Sequence, residues 1–125
     1  MAKKSSESDS TRVFFYRHLE LLKSAKDAAK LPTLLAMDEV MLTAVAQASA
    51  RGMPFQVLQA MVCCSEISTT TAHRILKRLR VEGWLDLTLD ITDNRIKYVT
   101  PSKQAEKYFA LHSQSMARAV KELAA

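Results

Sequence analysis

The stretch Ser68-Thr69-Thr70-Thr71-Ala72-His73-Arg74-Ile75-Leu76-Lys77-Arg78-Leu79-Arg80-Val81-Glu82-Gly83, followed by Trp84-Leu85-Asp86-Leu87-Thr88-Leu89-Asp90-Ile91, decides how the rest of the chain is read. At 100° per residue, Ala72, Ile75, Leu76 and Leu79 fall within one arc of a helix. Thr70, Arg74, Lys77 and Val81 occupy the opposite arc, with His73 and Arg78 on its flanks. Ser68 or Thr69 can accept the free amides at the start of this helix, and Gly83 can close it. One side is built to be buried, and the other carries cations, a hydroxyl and an imidazole. Beyond Gly83 the period changes to two. Leu85, Leu87, Leu89 and Ile91 share one face, and Asp86, Thr88 and Asp90 the other. Thr92-Asp93-Asn94 is turn chemistry, so Arg95-Ile96-Lys97-Tyr98-Val99 is expected to return as the partner strand of a hairpin. Trp84 is expected to anchor that hairpin on the core.

Working backwards, a short helix is expected from about Gln56 to Cys63, burying Leu58, Met61 and Val62. Met53-Pro54-Phe55 suits an edge strand, where proline is tolerated. A helix from Thr33 or Asp38 to Ala50 is apolar around most of its circumference and should be central, with Arg51-Gly52 ending it. An earlier helix starts at Thr11, carries Phe15, Leu19 and Leu22 on one stripe, and stops at Leu31-Pro32. Residues 1–10 are polar and Ser-rich and read as a disordered tail. Forwards, Thr100-Pro101 is expected to open a last helix, Thr as its cap and Pro at its first position. Ala105, Phe109, His112, Met116, Ala119 and Leu123 recur there at alternating steps of four and three, the seam of a helix that packs along another.

With 125 residues, 48% of them hydrophobic, the chain suits a single core. Only two glycines are present, which favours a mostly helical chain with one short sheet region. The net charge of +5 is unevenly spread. Residues 31–60 hold a single cation, Arg51, whereas residues 73–80 hold four, Arg74, Lys77, Arg78 and Arg80, without an acid. No apolar run reaches the ~18 residues of a membrane span, and the first residues lack the apolar stretch of a secretion signal. A soluble, cytoplasmic chain is the expectation. Cys63 and Cys64 are adjacent, which is neither a disulfide framework nor a zinc pattern, and a buried structural role is favoured over redox sensing. His18, His73 and His112 match no metal spacing. No cofactor or metal is expected. Phosphate loops, paired carboxylates and nucleophile motifs are missing too, so no enzymatic activity is expected.

The order of elements is that of a winged helix-turn-helix: mainly α with a small β-hairpin. Its second helix can lie in the major groove of double-stranded DNA. Thr69, Thr70, Thr71, His73, Arg74, Lys77 and Arg78 are the expected groove and phosphate contacts. Arg95 and Lys97 would meet the backbone from the hairpin tip. The competing role for this helix face is a solvated basic surface, and for Arg95 a local ion pair with Asp93.

From Met37 to Val99 the chain resembles the MarR-type winged-helix regulators of bacteria. The resemblance rests on Leu79-Arg80-Val81-Glu82-Gly83-Trp84-Leu85, similar to the exit of many winged-helix recognition helices, and on Asp93-Asn94-Arg95, similar to the family's Asp-x-Arg wing signature. Val99-Thr100 is similar to the Leu-Thr that follows the wing but arrives sooner after Arg95, which implies a short wing. The resemblance implies a homodimeric, sequence-specific transcriptional regulator whose first and last helices intertwine. Residues 33–100 would form the DNA-binding core of one domain spanning 11–125, flanked by dimerisation helices at 11–30 and 101–124. Phe15, Leu19, Leu22, Phe109, Met116 and Leu123 suit that role, and on pattern alone intrachain packing explains them equally well. The family often senses small, frequently phenolic effectors, but no residue here identifies one. Two alternatives stay open: a winged-helix module for protein–protein interaction, and a plasmid- or replication-associated DNA-binding protein.

Overall fold

A computed structural model describes residues 2–64 and 66–124, and for residues 2–8 the backbone course alone. The elements in chain order are α1 (Ala2–Ala29), α2 (Ala36–Ala50), β1 (Phe55–Gln56), α3 (Val57–Val62), α4 (Thr69–Val81), β2 (Leu85–Leu89), β3 (Lys97–Pro101) and α5 (Lys103–Ala124). They form two compact units, Pro32–Glu106 and Met1–Leu31 with Lys107–Ala125.

In the Pro32–Glu106 unit the core is made by three helices and a sheet. Met41, Leu42, Val45 and Ala48 of α2 meet Ala72, Ile75, Leu76 and Leu79 of α4, all buried, beneath Trp84, Leu85 and Val99. Each fully buried aliphatic side chain of this set contributes roughly 1.5–3 kcal/mol. The sheet is antiparallel, ordered β1-β3-β2. Leu87 pairs with Val99 and Leu89 with Lys97, while Phe55 pairs with Val99 from the other side. The central helix, the basic helix and the hairpin expected from periodicity are all present. So is the mainly α architecture with a small sheet.

Both glycines sit where a helix reverses. At Gly83 φ is +84°, a conformation that costs a side-chain-bearing residue a Cβ clash. The Gly83 amide donates to Arg80 O at 3.1 Å and the Trp84 amide to Leu79 O at 2.8 Å, a Schellman closure that turns the chain from α4 straight into β2.

Several expectations are corrected. The helix expected from Thr11 begins at Ala2, so residues 2–10 are not a disordered tail. No Pro or Gly interrupts the run from 2 to 29, and an Asp9–Arg12 ion pair one turn apart supports it. In α3 only Ala60 is buried, with Leu58 75% exposed and Val62 65% exposed. A helix of six residues has one inward position per turn, and Ala60 occupies it. The inward face of β2 ends early, because Leu89 and Ile91 lie past the part of the hairpin that covers the core; Ile91 is 99% exposed. Thr100 and Pro101 remain in β3. The cap of α5 is Ser102, whose Oγ accepts from the Ala105 amide at 3.2 Å and donates to Gly83 O at 2.6 Å. That one hydroxyl ties the start of α5 to the end of α4.

Candidate nucleic-acid interface

The face of α4 turned away from the core is set by its own sequence. Ser68 caps the helix: its Oγ accepts from the Thr71 amide at 3.1 Å and donates to Thr71 Oγ1 at 3.0 Å. One residue of the expected set is thereby separated from the rest, because Thr71 spends its hydroxyl on the cap while Thr69 and Thr70 are exposed. His73, Arg74 and Lys77 also stand exposed. The helix holds no acid, so the charge of this face is uncompensated from within α4.

Arg78 does not belong to that face. Its Nε donates to Asp38 Oδ2 and its Nη2 to Asp38 Oδ1, both at 2.6 Å. Asp38 is 1% exposed on α2, and a buried carboxylate requires such a fork of donors. The Asp38 carboxylate holds the Arg78 guanidinium above its ordinary pKa. Arg78 is therefore a clamp between α4 and α2, and its expected role at the DNA is corrected on that ground. Asp38 gave little warning in the sequence: an acid in the first turn of a helix is ordinary, and only its 1% exposure shows that it needs a partner from elsewhere.

Arg80 is the residue that the pattern passed over. It follows His73 and Lys77 at steps of four and three, and all three border a hollow of about 250 Å³ between α4 and the sheet, floored by Leu76, Leu87 and Val99. The cationic stripe thus continues along the side of α4 that faces the hairpin.

At the hairpin tip, Asp90 organises the turn. Its Oδ2 accepts from the Thr92 amide at 3.0 Å, the Thr92 hydroxyl at 2.6 Å and the Asp93 amide at 3.0 Å, while Tyr98 OH donates to Oδ1 at 3.1 Å. The Thr92 hydroxyl and amide, with Tyr98, hold this carboxyl below the usual carboxylate range. Asp93 is lowered as well, chiefly by Arg95, whose Nε and Nη2 donate to it at 3.1 Å. Arg95 is in the local ion pair raised as its competing role, yet its side chain is 91% exposed. Lys97 is exposed on β3.

The residues expected at a dimer contact lie in the other unit. There Arg17 Nε and Nη2 donate to Glu122 Oε2 and Oε1 at 2.6 and 3.2 Å. The His18 and His112 rings lie 5.9 Å apart, and His112 Nε2 is 3.1 Å from Tyr108 OH. The covered face of α5 runs through Ala105, Tyr108, Ser115 and Ala119. Leu22 is 5% exposed and is committed to packing within its own chain. Phe15, Leu19, Met116 and Leu123 are exposed, and Phe109 is half-buried. Among the described residues no helix is long and apolar enough to cross a membrane.

No protein-family model and no curated protein matches the sequence. Solved structures do match it in fold. A transcriptional regulator from Thermotoga maritima aligns with a TM-score of 0.57 at 17% identity, over 96% of this chain and 78% of that chain. An S. aureus MepR mutant bound to oligodeoxyribonucleotide aligns with a TM-score of 0.61 at 10% identity, over 94% and 81%. A mutant MarR from E. coli complexed with operator DNA gives 0.53 at 14% identity, over 98% and 80%. The chain has the winged-helix fold of the MarR-type transcriptional regulators.

Proposed function

We propose that this protein is a transcriptional regulator that binds double-stranded DNA as a homodimer, without catalysis. In this reading α4 enters the major groove and the hairpin rests on the backbone. The observation that carries it is the outward face of α4, where His73, Arg74, Lys77 and Arg80 stand exposed on a helix with no acid. Thr69 and Thr70 at its N-terminal end present hydroxyls and methyls to base edges, and the helix amides there favour phosphate. Lys97, and Arg95 through its outward edge, would meet backbone phosphates. Self-association through Phe15, Leu19, Met116 and Leu123 would cover an apolar stripe that the single chain leaves open. Two copies would then set two recognition helices about one helical turn of DNA apart. Structures of the same fold crystallised with operator DNA and with an oligodeoxyribonucleotide support this choice.

Selection from a random duplex pool tests it. A regulator of this kind enriches a pseudo-palindrome, bound more tightly than random duplex by on the order of 10³-fold or more. A pool that stays random after repeated selection contradicts sequence-specific regulation.

A further inference from the structure

Cys63 and Cys64 leave the end of α3, and the DNA-binding reading uses neither. Both are free and half-buried, and their Sγ atoms lie 3.6 Å apart. A disulfide requires about 2.04 Å, so the pair is far from bonded. Two sulfur ligands of one soft centre, each bonded at about 2.3 Å, lie roughly 3.3–3.8 Å apart across the bond angles of pyramidal to tetrahedral centres. The two sulfurs already have the bite of a chelate. Both border an open groove of about 650 Å³ along α2, with Met37, Val40, Ala44 and Ile67 as apolar wall.

The type of centre follows from the surroundings. Among the described residues no group of three or more Cys, His, Asp or Glu can hold a metal ion, so the protein offers two ligands only. A trivalent arsenical with one organic substituent needs two sulfurs and carries its own proton acceptors. We propose that Cys63 and Cys64 are a binding site for a monosubstituted trivalent arsenical whose organic group lies in the groove along α2.

The reaction balances without an oxidant or a base from the protein. Two S–H bonds and two As–O bonds break in R–As(OH)₂, two As–S bonds form, and two waters leave. Arsenic remains trivalent. Capture at this site does not depend on DNA binding.

The probe is phenylarsine oxide, added to the full chain and followed by intact mass and by counting alkylatable thiols. The expected result is one phenylarsenic unit per chain and no remaining thiol, in an adduct that survives excess monothiol and is stripped by a small vicinal dithiol. Cys63→Ser and Cys64→Ser should each bind at least about a hundredfold more weakly, since tethering of the second ligand is lost. Val40→Trp, at an exposed position, keeps both thiols and fills the groove; it should weaken capture of phenylarsine oxide and leave capture of inorganic arsenite unchanged. Two adducts per chain, ready loss to monothiol, equal binding by the single-cysteine variants, or an unaltered response of Val40→Trp would each overturn the proposal.

Discussion

Arg74 and Arg78 are four positions apart on α4, equally cationic in the sequence, and opposite in what they do. Arg74 is exposed beside His73 and Lys77; Arg78 forms a two-bond fork with the buried carboxylate of Asp38. Helical periodicity put Arg78 on the flank of the polar arc, and an arginine's reach lets a flank residue turn either way. Only the position of Asp38, forty residues earlier, decides it. The two roles separate by experiment. Arg78→Gln leaves a buried carboxylate without its donors, so it should lower the melting temperature while the salt dependence of DNA binding stays as in the wild type. Lys77→Gln should leave the melting temperature unchanged and flatten the slope of log K against log salt by about one if it meets a phosphate. Matching behaviour of the two variants would contradict the assignment. At Arg74, alanine should weaken binding to the selected site by ~1–3 kcal/mol and binding to random duplex by less, as a base contact requires. Equal losses on both DNAs, measured by anisotropy, would instead make Arg74 a phosphate contact.

Among the elements, α2, α4 and the hairpin were legible because each has one strong period, three or four apolar positions in phase, and a glycine or turn at its end. The short α3 was legible as a helix but not in its burial, since six residues cannot reveal which side faces inward: Leu58 and Val62 point out and Ala60 points in. The wing tip was legible only in part: Asp93 sits in turn chemistry and its pair with Arg95 was open to the sequence. Asp90, however, looks like a solvent-facing acid in an alternating strand, yet accepts from Thr92, Asp93 and Tyr98. Side-chain-to-backbone bonding of this kind shapes turns, but its partners are chosen only once the hairpin has closed. The consequence is a pH dependence. Both carboxyls titrate below their ordinary value, so the folded wing binds fewer protons than the open one. Their contribution is complete above the unfolded value of about 3.9 and is lost as pH falls through the lowered folded values. In an NMR titration the Thr92 and Asp93 amides should hold constant shifts at neutral pH and move only below about pH 3.9. Asp90→Asn should remove that transition at the Thr92 amide, which bonds the Asp90 carboxylate, and a transition near neutrality would contradict it.

For the whole molecule, the sequence carried the class of fold, because a basic amphipathic helix between a short helix and a hairpin has few other solutions. It did not separate chain-internal packing from self-association along the first and last helices, where a seam reads the same in both cases. In the structure Leu22 is buried within the chain, while Phe15, Leu19, Met116 and Leu123 remain uncovered, as the proposed self-association requires. Phe15→Glu with Met116→Glu should therefore convert a dimer to a monomer in sedimentation equilibrium without loss of helical circular dichroism; a wild-type chain that sediments as a monomer would contradict dimerisation. The proposed DNA contact rests on the outward face of α4. Its most direct test is fluorescence anisotropy of a labelled duplex, titrated with the wild-type chain and with Arg74→Ala/Lys77→Ala from low to moderate salt. We expect tight, steeply salt-dependent binding by the wild type, with affinity falling tenfold or more in the double variant, the order expected from losing two charge contacts. Indistinguishable isotherms for the two proteins, or no binding by either at low salt, would contradict the claim that this helix face meets DNA.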